Sequence, residues 1–279
     1  MSARRSPFVT AWMWAGFTFL YIPILSLIIF SFNSNKLVTV WAGFSTKWYS
    51  ALLHNEQILS AAWLSLKIAL ITATIAVVLG TLVALCLARL GAFKGRALLS
   101  GLATAPLVMP EVITGLSLLL LFVAMEQAIG WPAGRGILTI IIAHATFAMA
   151  YVAVVVQSRL VGMDPSIEEA AMDLGAQPAK VFFLITLPII APALVSGWLL
   201  AFTLSLDDLV ISSFVSGPGA STLPMVIYSK VRLGLSPEIN ALATLMVLIV
   251  ALGVIAASWL LARQEKLRQR DLQIAINQE

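Results

Sequence analysis

Charge is scarce in this chain. Asp, Glu, Lys and Arg together make up 11% of its 279 residues, while 60% are hydrophobic and the mean hydropathy is +0.98. No soluble domain of this length needs so much apolar surface, so the composition describes a polytopic membrane protein. Cysteine is almost missing. Cys86 stands alone, which excludes a disulfide framework and a cysteine-based metal site and leaves it to pack as a small hydrophobe. The two histidines, His54 and His144, are too few and too far apart in sequence to make a ligand set, so no metal is expected. No G-x-x-x-x-G-K-[ST] run occurs, so the chain does not hydrolyse ATP with a P-loop of its own, and no cofactor is called for. The net charge of +4 is small, no nucleic-acid partner is expected, and the placement of the charges matters more than their sum.

What is present is a series of long apolar runs. Their limits predict an all-α protein with six transmembrane helices, at about residues 11–32, 62–88, 98–125, 136–158, 190–215 and 241–262, forming a single transmembrane domain over 1–279. The first run is too long for a signal-peptide h-region and lacks a small-x-small cleavage site, so it is read as a retained span. Residues 33–60 form a polar loop in which Phe44, Trp48 and Leu52 are spaced for one face of a short interfacial helix. In the third span, Pro106 and Pro110 should break the helix, leaving Glu111 beside free backbone N–H groups at a new helix start. Six spans put both termini on one side of the membrane, the side also holding the loop 159–189. That side carries eleven Lys and Arg (Arg4, Arg5, Arg89, Lys94, Arg96, Arg159, Lys180, Arg263, Lys266, Arg268, Arg270), the other six (Lys36, Lys47, Lys67, Arg135, Lys230, Arg232). The positive-inside rule therefore puts both termini in the cytoplasm.

The loop 159–189 has its own design. Either Asp164 with Pro165, or Ser166 with Glu169, can open a helix. Ile167, Ala170, Ala171 and Leu174 then form one apolar stripe, and Gly175 is placed to end the helix in the left-handed conformation. Pro178 starts a second short helix that runs to Pro188. Between two spans the chain thus reads as helix, glycine turn, helix.

Glu111, Asp207 and Asp208 are the acids placed within spans. A charged group there costs roughly 2.5 kcal/mol on insertion scales and more in simulations, so such residues face a cavity or a partner and mark a pathway. Ser205, Asp208, Ser212 and Ser216 follow i, i+3, i+7, i+11 on a helix expected to run unbroken to Val215, and this polar stripe favours Asp208 over Asp207 as the pore-lining acid. Thr203 and Asp207 share another face. Acids at two depths, with Lys67 at a rim as the one intramembrane base considered, suit a cation.

The letters of the loop go further than their spacing. Glu169-Ala170-Ala171, three residues, Gly175, nine residues and Ile185-x-Leu187-Pro188 resemble the signature cytoplasmic loop of bacterial ABC-importer permeases, matched at every specified position. In that family the second short helix docks in a groove of the ATPase subunit. The resemblance thus implies that Glu169, Ala170, Ala171, Gly175, Ile185, Leu187 and Pro188 serve ATPase coupling, and that the fold is the type I importer permease. Met109-Pro110-Glu111-Val112-Ile113-Thr114-Gly115, the run from Ser205 to Gly219, and Phe32-Asn33-Ser34-Asn35-Lys36 resemble the polyamine subgroup, most of all the second permease subunit of putrescine importers. The likeness covers nearly the whole chain; it departs at Glu111, where Asp is expected. It implies a sister permease subunit, two cytoplasmic ATPase subunits, a periplasmic polyamine-binding protein, and a membrane-lipid surround. On this reading Asp208, Asp207 and Glu111 form the substrate pathway, Ser205 and Ser212 accept hydrogen bonds from an ammonium, and Trp48 folds over the mouth.

Other classes fit less well. An intramembrane aspartyl protease needs two facing carboxylates, which adjacent Asp207 and Asp208 do not supply, although Glu111 could meet one of them. A metal-dependent prenyl transferase wants D-D-x-x-D, and position 211 is Ile. No catalytic residues are expected. A passive channel or a permease for another small cationic solute accounts for the acids but leaves the Glu169 loop without a purpose.

Overall fold

The structure, a computed structural model, describes residues 7–37, 40–234 and 236–276, the side chains of residue 7 and of most positions beyond 253 excepted. Arg4 and Arg5 therefore lie outside the described residues, as do the side chains of Lys266, Arg268 and Arg270. The helices are α1 (Pro7–Ser31), α2 (Lys47–Leu53), α3 (Glu56–Arg89), α4 (Arg96–Val108), α5 (Glu111–Ile129), α6 (Ile137–Val161), α7 (Ser166–Asp173) and α8 (Pro178–Val181). After a π-helical turn (Phe182–Thr186) come α9 (Leu187–Leu206), α10 (Val210–Val215), α11 (Leu223–Leu233) and α12 (Pro237–Ile276). Among the described residues there is no strand, only an isolated bridge between Asn33 and Phe44. Among the described residues five stretches are long and apolar enough to cross a bilayer: 8–31, 56–89, 111–129, 137–161 and 178–206. The apolar part of α12 over Pro237–Gly253 is shorter. The regions of the six expected spans are mostly helical, but α3 begins at Glu56 rather than near 62, and the third and fifth regions are each divided between two helices, α4 with α5 and α9 with α10.

The chain forms two compact units, residues 57–228 and residues 1–56 with 229–279. In the first, α6 is the axis. Its buried residues fall on every side of the helix, as expected of a helix that is apolar all round. Within a bilayer there is little hydrophobic drive between helices, so association rests on close van der Waals packing of small residues. Ala73, Ala76 and Ala84 of α3 meet Ala148, Val152 and Val156 of α6 and Ile190 and Ala201 of α9 in one buried cluster. The α3–α6 approach is tight enough to demand glycine: a Cβ on Gly80 would sit 2.8 Å from the Met149 carbonyl oxygen and the Val152 side chain. A second cluster gathers Ile68, Phe122, Ile140 and Phe147 around Ile211 and Val215 of α10. Here a Cβ on Gly115 of α5 would lie 2.7 Å from the Phe214 ring and 3.3 Å from the Ile211 backbone.

In the other unit, α1 is exposed on nearly all faces, with Phe8, Trp12, Trp14 and Phe19 at the surface. The segment after it is organised by buried Asn33. Its Nδ2 donates to the carbonyl of Val40 (2.7 Å), and its Oδ1 accepts from the N–H of Ala42 (2.9 Å). Trp48 and Leu52 share the buried face of α2, as their spacing predicts. Phe44 does not join them: it precedes the helix in the bridge, exposed and stacked on Phe32.

Candidate functional site

The third and fifth spans are both interrupted beside acids. At the first break, Met109 is extended (φ −76°, ψ 137°) and Pro110 caps α5, so Glu111 becomes the first residue of α5, with its side chain exposed. This is the arrangement that the prolines predict.

The second break was not expected. The helix from Leu187 stops at Leu206, and α10 restarts at Val210, with neither proline nor glycine between them. The expected continuous stripe is therefore bent inward, and three of its four members meet on one side chain. His144, mid-way along α6 and 2% exposed, brings Nδ1 to 2.8 Å from Ser205 Oγ and Nε2 to 3.1 Å from Asp208 Oδ1 and 3.0 Å from Ser212 Oγ. Asp208 also accepts the backbone N–H of Ser212 (2.7 Å) on Oδ1 and of Ile211 (3.3 Å) on Oδ2. Three donors thus occupy one carboxylate whose side chain is 8% exposed. The reading of Asp208, Ser205 and Ser212 as an open polar face is corrected accordingly: all three are engaged with His144. Asp207 and Thr203 lie on the exposed side, and Asp207 is the last-turn residue whose N–H bonds Thr203 O. Lys67 is not the one basic side chain within the spans: His144 is a second, buried one. A histidine in the middle of an apolar span was itself the signal, since any ionisable residue there needs a partner.

The far end of α10 is also fastened to α6. Thr139 Oγ1 donates to the Val215 carbonyl (2.7 Å), and Arg135 donates to that of Phe214 (3.4 Å). Gly217 packs so closely on the Arg135 carbonyl that no Cβ fits. With Asp208 at His144 and Val215 at Thr139, α10 runs antiparallel to the first half of α6 and is held at both ends. Glu111 stands about 6 Å along α5 from Gly115, which touches Ile211. The two breaks are therefore neighbours. Trp48 takes no part in this unit. It is buried, its indole N–H donates to the Asn33 carbonyl (2.6 Å), and Lys47 Nζ lies 4.7 Å from its ring centroid. Within its own unit it is a packed anchor.

The loop 159–189 matches its reading at the start and turn. Asp164 Oδ1 accepts the N–H of Ser166 (2.9 Å), the first of the two predicted openings, and that bond holds the Asp164 carboxyl below the ordinary carboxylate range. Gly175 is left-handed (φ +86°), its N–H bonds Met172 O, and Ala176 N–H bonds Ala171 O, which together make a Schellman end to α7. Glu169, Ala170 and Gly175 are exposed, as is Pro188, while Ala171, Ile185 and Leu187 are half-buried. Past Pro178 the expectation of a separate helix ending at Pro188 is corrected: the chain is helical without interruption from Pro178 to Leu206. The π-helical turn explains how. Pro188 lacks an N–H and crowds the carbonyl four residues back, Leu184, which lies inside the widened turn. Glu168, not singled out from sequence, ties the segment together. Its Oε2 lies 2.9 Å from Arg89 Nε at the end of α3, and its Oε1 accepts from Thr186 Oγ1 (2.5 Å).

Residues 76–270 match the family model described as binding-protein-dependent transport system inner membrane component. The chain belongs to this family. The permease is thus a multi-pass inner-membrane component of an ABC importer and not an enzyme; membership implies a partner permease, an ATPase and a substrate-binding protein. It is 63% identical over 271 residues to the putrescine transport system permease protein PotI of Escherichia coli K12, covering 97% of this chain and 96% of that one. It is 43% identical over 253 residues to the spermidine/putrescine transport system permease protein PotC of the same organism, covering 91% and 93%. Among solved structures, a bacterial ABC transporter involved in the import of the acidic polysaccharide alginate matches with a TM-score of 0.71 at 16% identity, over 92% of this chain and 95% of that one. At that identity the match concerns the fold alone.

Proposed function

We propose that this permease carries putrescine from periplasm to cytoplasm, paired with a sister permease, driven by two ATPase subunits and fed by a periplasmic polyamine-binding protein, the whole chain working as one permease domain. The observation that carries this reading is the identity to a putrescine permease along 97% of the chain. Two exposed carboxylates at neighbouring helix breaks, Glu111 and Asp207, support it, because a diamine carries an ammonium at each end and needs compensating charge in a low-dielectric passage. Asp208, Ser205 and Ser212 shape the passage from behind rather than touching the cargo. Coupling runs through Glu169, Ala170, Ala171, Gly175, Ile185, Leu187 and Pro188, with exposed Leu174, Phe183 and Leu184 as the apolar contacts an ATPase groove would cover. Both termini and this loop face the cytoplasm, and the exposed apolar side chains of α1 meet lipid or the sister subunit.

The deciding experiment is uptake of radiolabelled putrescine into vesicles that contain the full complex and its binding protein. ATP-dependent uptake is expected, abolished by Asp207→Asn at matched expression. Uptake without ATP would favour a passive channel instead. Orientation is read by thiol labelling of an engineered Gly175→Cys in intact spheroplasts; reaction with an impermeant reagent from outside would reverse the topology.

A further inference from the structure

We propose that His144 is a positioning residue of the transport pathway: by holding Asp208 inside the protein, it keeps the span broken at 207–209 and turns the Asp207 carboxylate to the exposed side. The inference rests on the reading of Asp207 as a pathway carboxylate and adds the residue that places it there.

Nothing local forces this break. The stretch Thr203-Leu204-Ser205-Leu206-Asp207-Asp208-Leu209-Val210-Ile211 contains no proline or glycine, and its residues tolerate a helix interior at small cost. In an unbroken helix the N–H groups of Ile211 and Ser212 would bond the carbonyls of Asp207 and Asp208. Instead both N–H groups bond the Asp208 carboxylate. The side chain has displaced backbone carbonyls as the acceptor, which is a capping exchange carried out in mid-span.

That exchange needs the carboxylate to stay inside, and His144 is the group that keeps it there. A carboxylate only accepts, so Nε2 of His144 carries the hydrogen that Asp208 receives. On the opposite ring edge, Nδ1 meets the hydroxyl of Ser205, from the last turn before the break. One imidazole therefore grips both sides of the interruption: Ser205 before it, Asp208 and Ser212 after it. Its own position is fixed by α6, a packed helix whose Ile140, Ala143, Ala145, Phe147 and Ala148 are all buried. A histidine there without partners would leave two ring nitrogens unsatisfied in an apolar interior. Consecutive helical residues point about 100° apart. Asp207 closes α9 with its N–H on Thr203 O and is exposed on the same side as Thr203, so the turn that takes Asp208 inward leaves Asp207 outside.

The test has two readouts on the intact complex. First, Asp207→Cys in a Cys86→Ser background is modified with the cationic thiol reagent 2-(trimethylammonium)ethyl methanethiosulfonate. Adding His144→Leu should slow modification, per assembled complex, by about tenfold or more, the equilibrium ratio that corresponds to losing a charge-assisted hydrogen bond. His144→Gln should restore most of the rate, because its terminal amide reaches where Nε2 stood and can donate to Asp208. His144→Asn, whose shorter amide mimics Nδ1, should restore less. Second, with Asp207 intact, His144→Leu should raise the KM for putrescine more than it lowers maximal uptake, with the same order of rescue. A role in folding alone would lower the amount of complex and leave both readouts unchanged in what assembles; unchanged labelling and KM in His144→Leu overturn the proposal. If His144→Leu fails to assemble, the Gln and Asn variants decide, and better rescue by Asn overturns it. A wild-type complex that moves no putrescine would defeat the transport reading, while the labelling arm would still decide the role of His144.

Discussion

The two interrupted spans of this permease reach the same result by opposite means. At Met109-Pro110 the cause is covalent: a ring fixes φ, removes an N–H and ends α4 whatever surrounds it. At Asp207-Asp208 the chain has no such instruction, and the Asp208 carboxylate, bonded to a histidine on another helix, accepts the N–H groups of Ile211 and Ser212 that a regular helix would give to carbonyls. The first break is an intrinsic property of the sequence. The second is a property of the packed unit and stands or falls with it. Both leave a carboxylate exposed, so an acid can be presented within a span either by local stereochemistry or by tertiary contacts.

This contrast makes the two breaks respond differently to substitution. The largest effect is expected from Asp208→Leu, which strands the N–H groups of Ile211 and Ser212 together with His144 and should cost roughly 3–5 kcal/mol, as breaking a buried pair does. It should appear as a large drop in the thermal unfolding midpoint of the solubilised complex. Asp208→Asn should cost far less, because Asn caps a helix about as well as Asp. Its midpoint should lie much nearer wild type; equal losses from Leu and Asn would show that charge rather than capping holds the break. The smallest effect is expected from Pro110→Ala. That site is exposed, and α5 keeps its N-terminal bonds from Ile113 and Thr114 to the carbonyl of residue 110, so stability should change by less than about 1 kcal/mol. A collapse as deep as that of Asp208→Leu would mean that the proline break, too, is maintained by its surroundings.

The same contrast explains what could be read from the letters. The proline break, the opening of α7 beside Asp164 and the glycine turn at Gly175 are written in residues that act on their own backbone, and the structure places them where the sequence does. The polar stripe was legible as a pattern, since Ser205, Asp208 and Ser212 do converge, but its direction was not. Periodicity says which residues share a face without saying whether that face meets a pore or a partner, and the partner, His144, stands 61 residues before Ser205. Trp48 also depends on a partner. An aromatic in a loop between spans is more often an anchor than a ligand contact, and the bond from its indole to the Asn33 carbonyl agrees with the anchor. Glu168 was invisible because its two partners, Arg89 and Thr186, come from distant segments.

The π-helical turn at Phe182–Thr186 has a consequence for how force passes through the molecule. Relative to an α-helix it holds one surplus residue, which offsets everything before it by about 100° of azimuth from everything after it. Because helix continues on both sides, Pro178 and Leu206 are joined by one unbroken rod, while the facing of α8 is set separately from that of α9. Thr186, inside the turn, is the residue bonded to Glu168, so the offset is pinned where it occurs. A one-residue deletion within 182–186 would keep the rod and its stiffness but swing Phe183 and Leu184 round the axis, so that a partner pressing on this end would meet the wrong side of an otherwise intact lever.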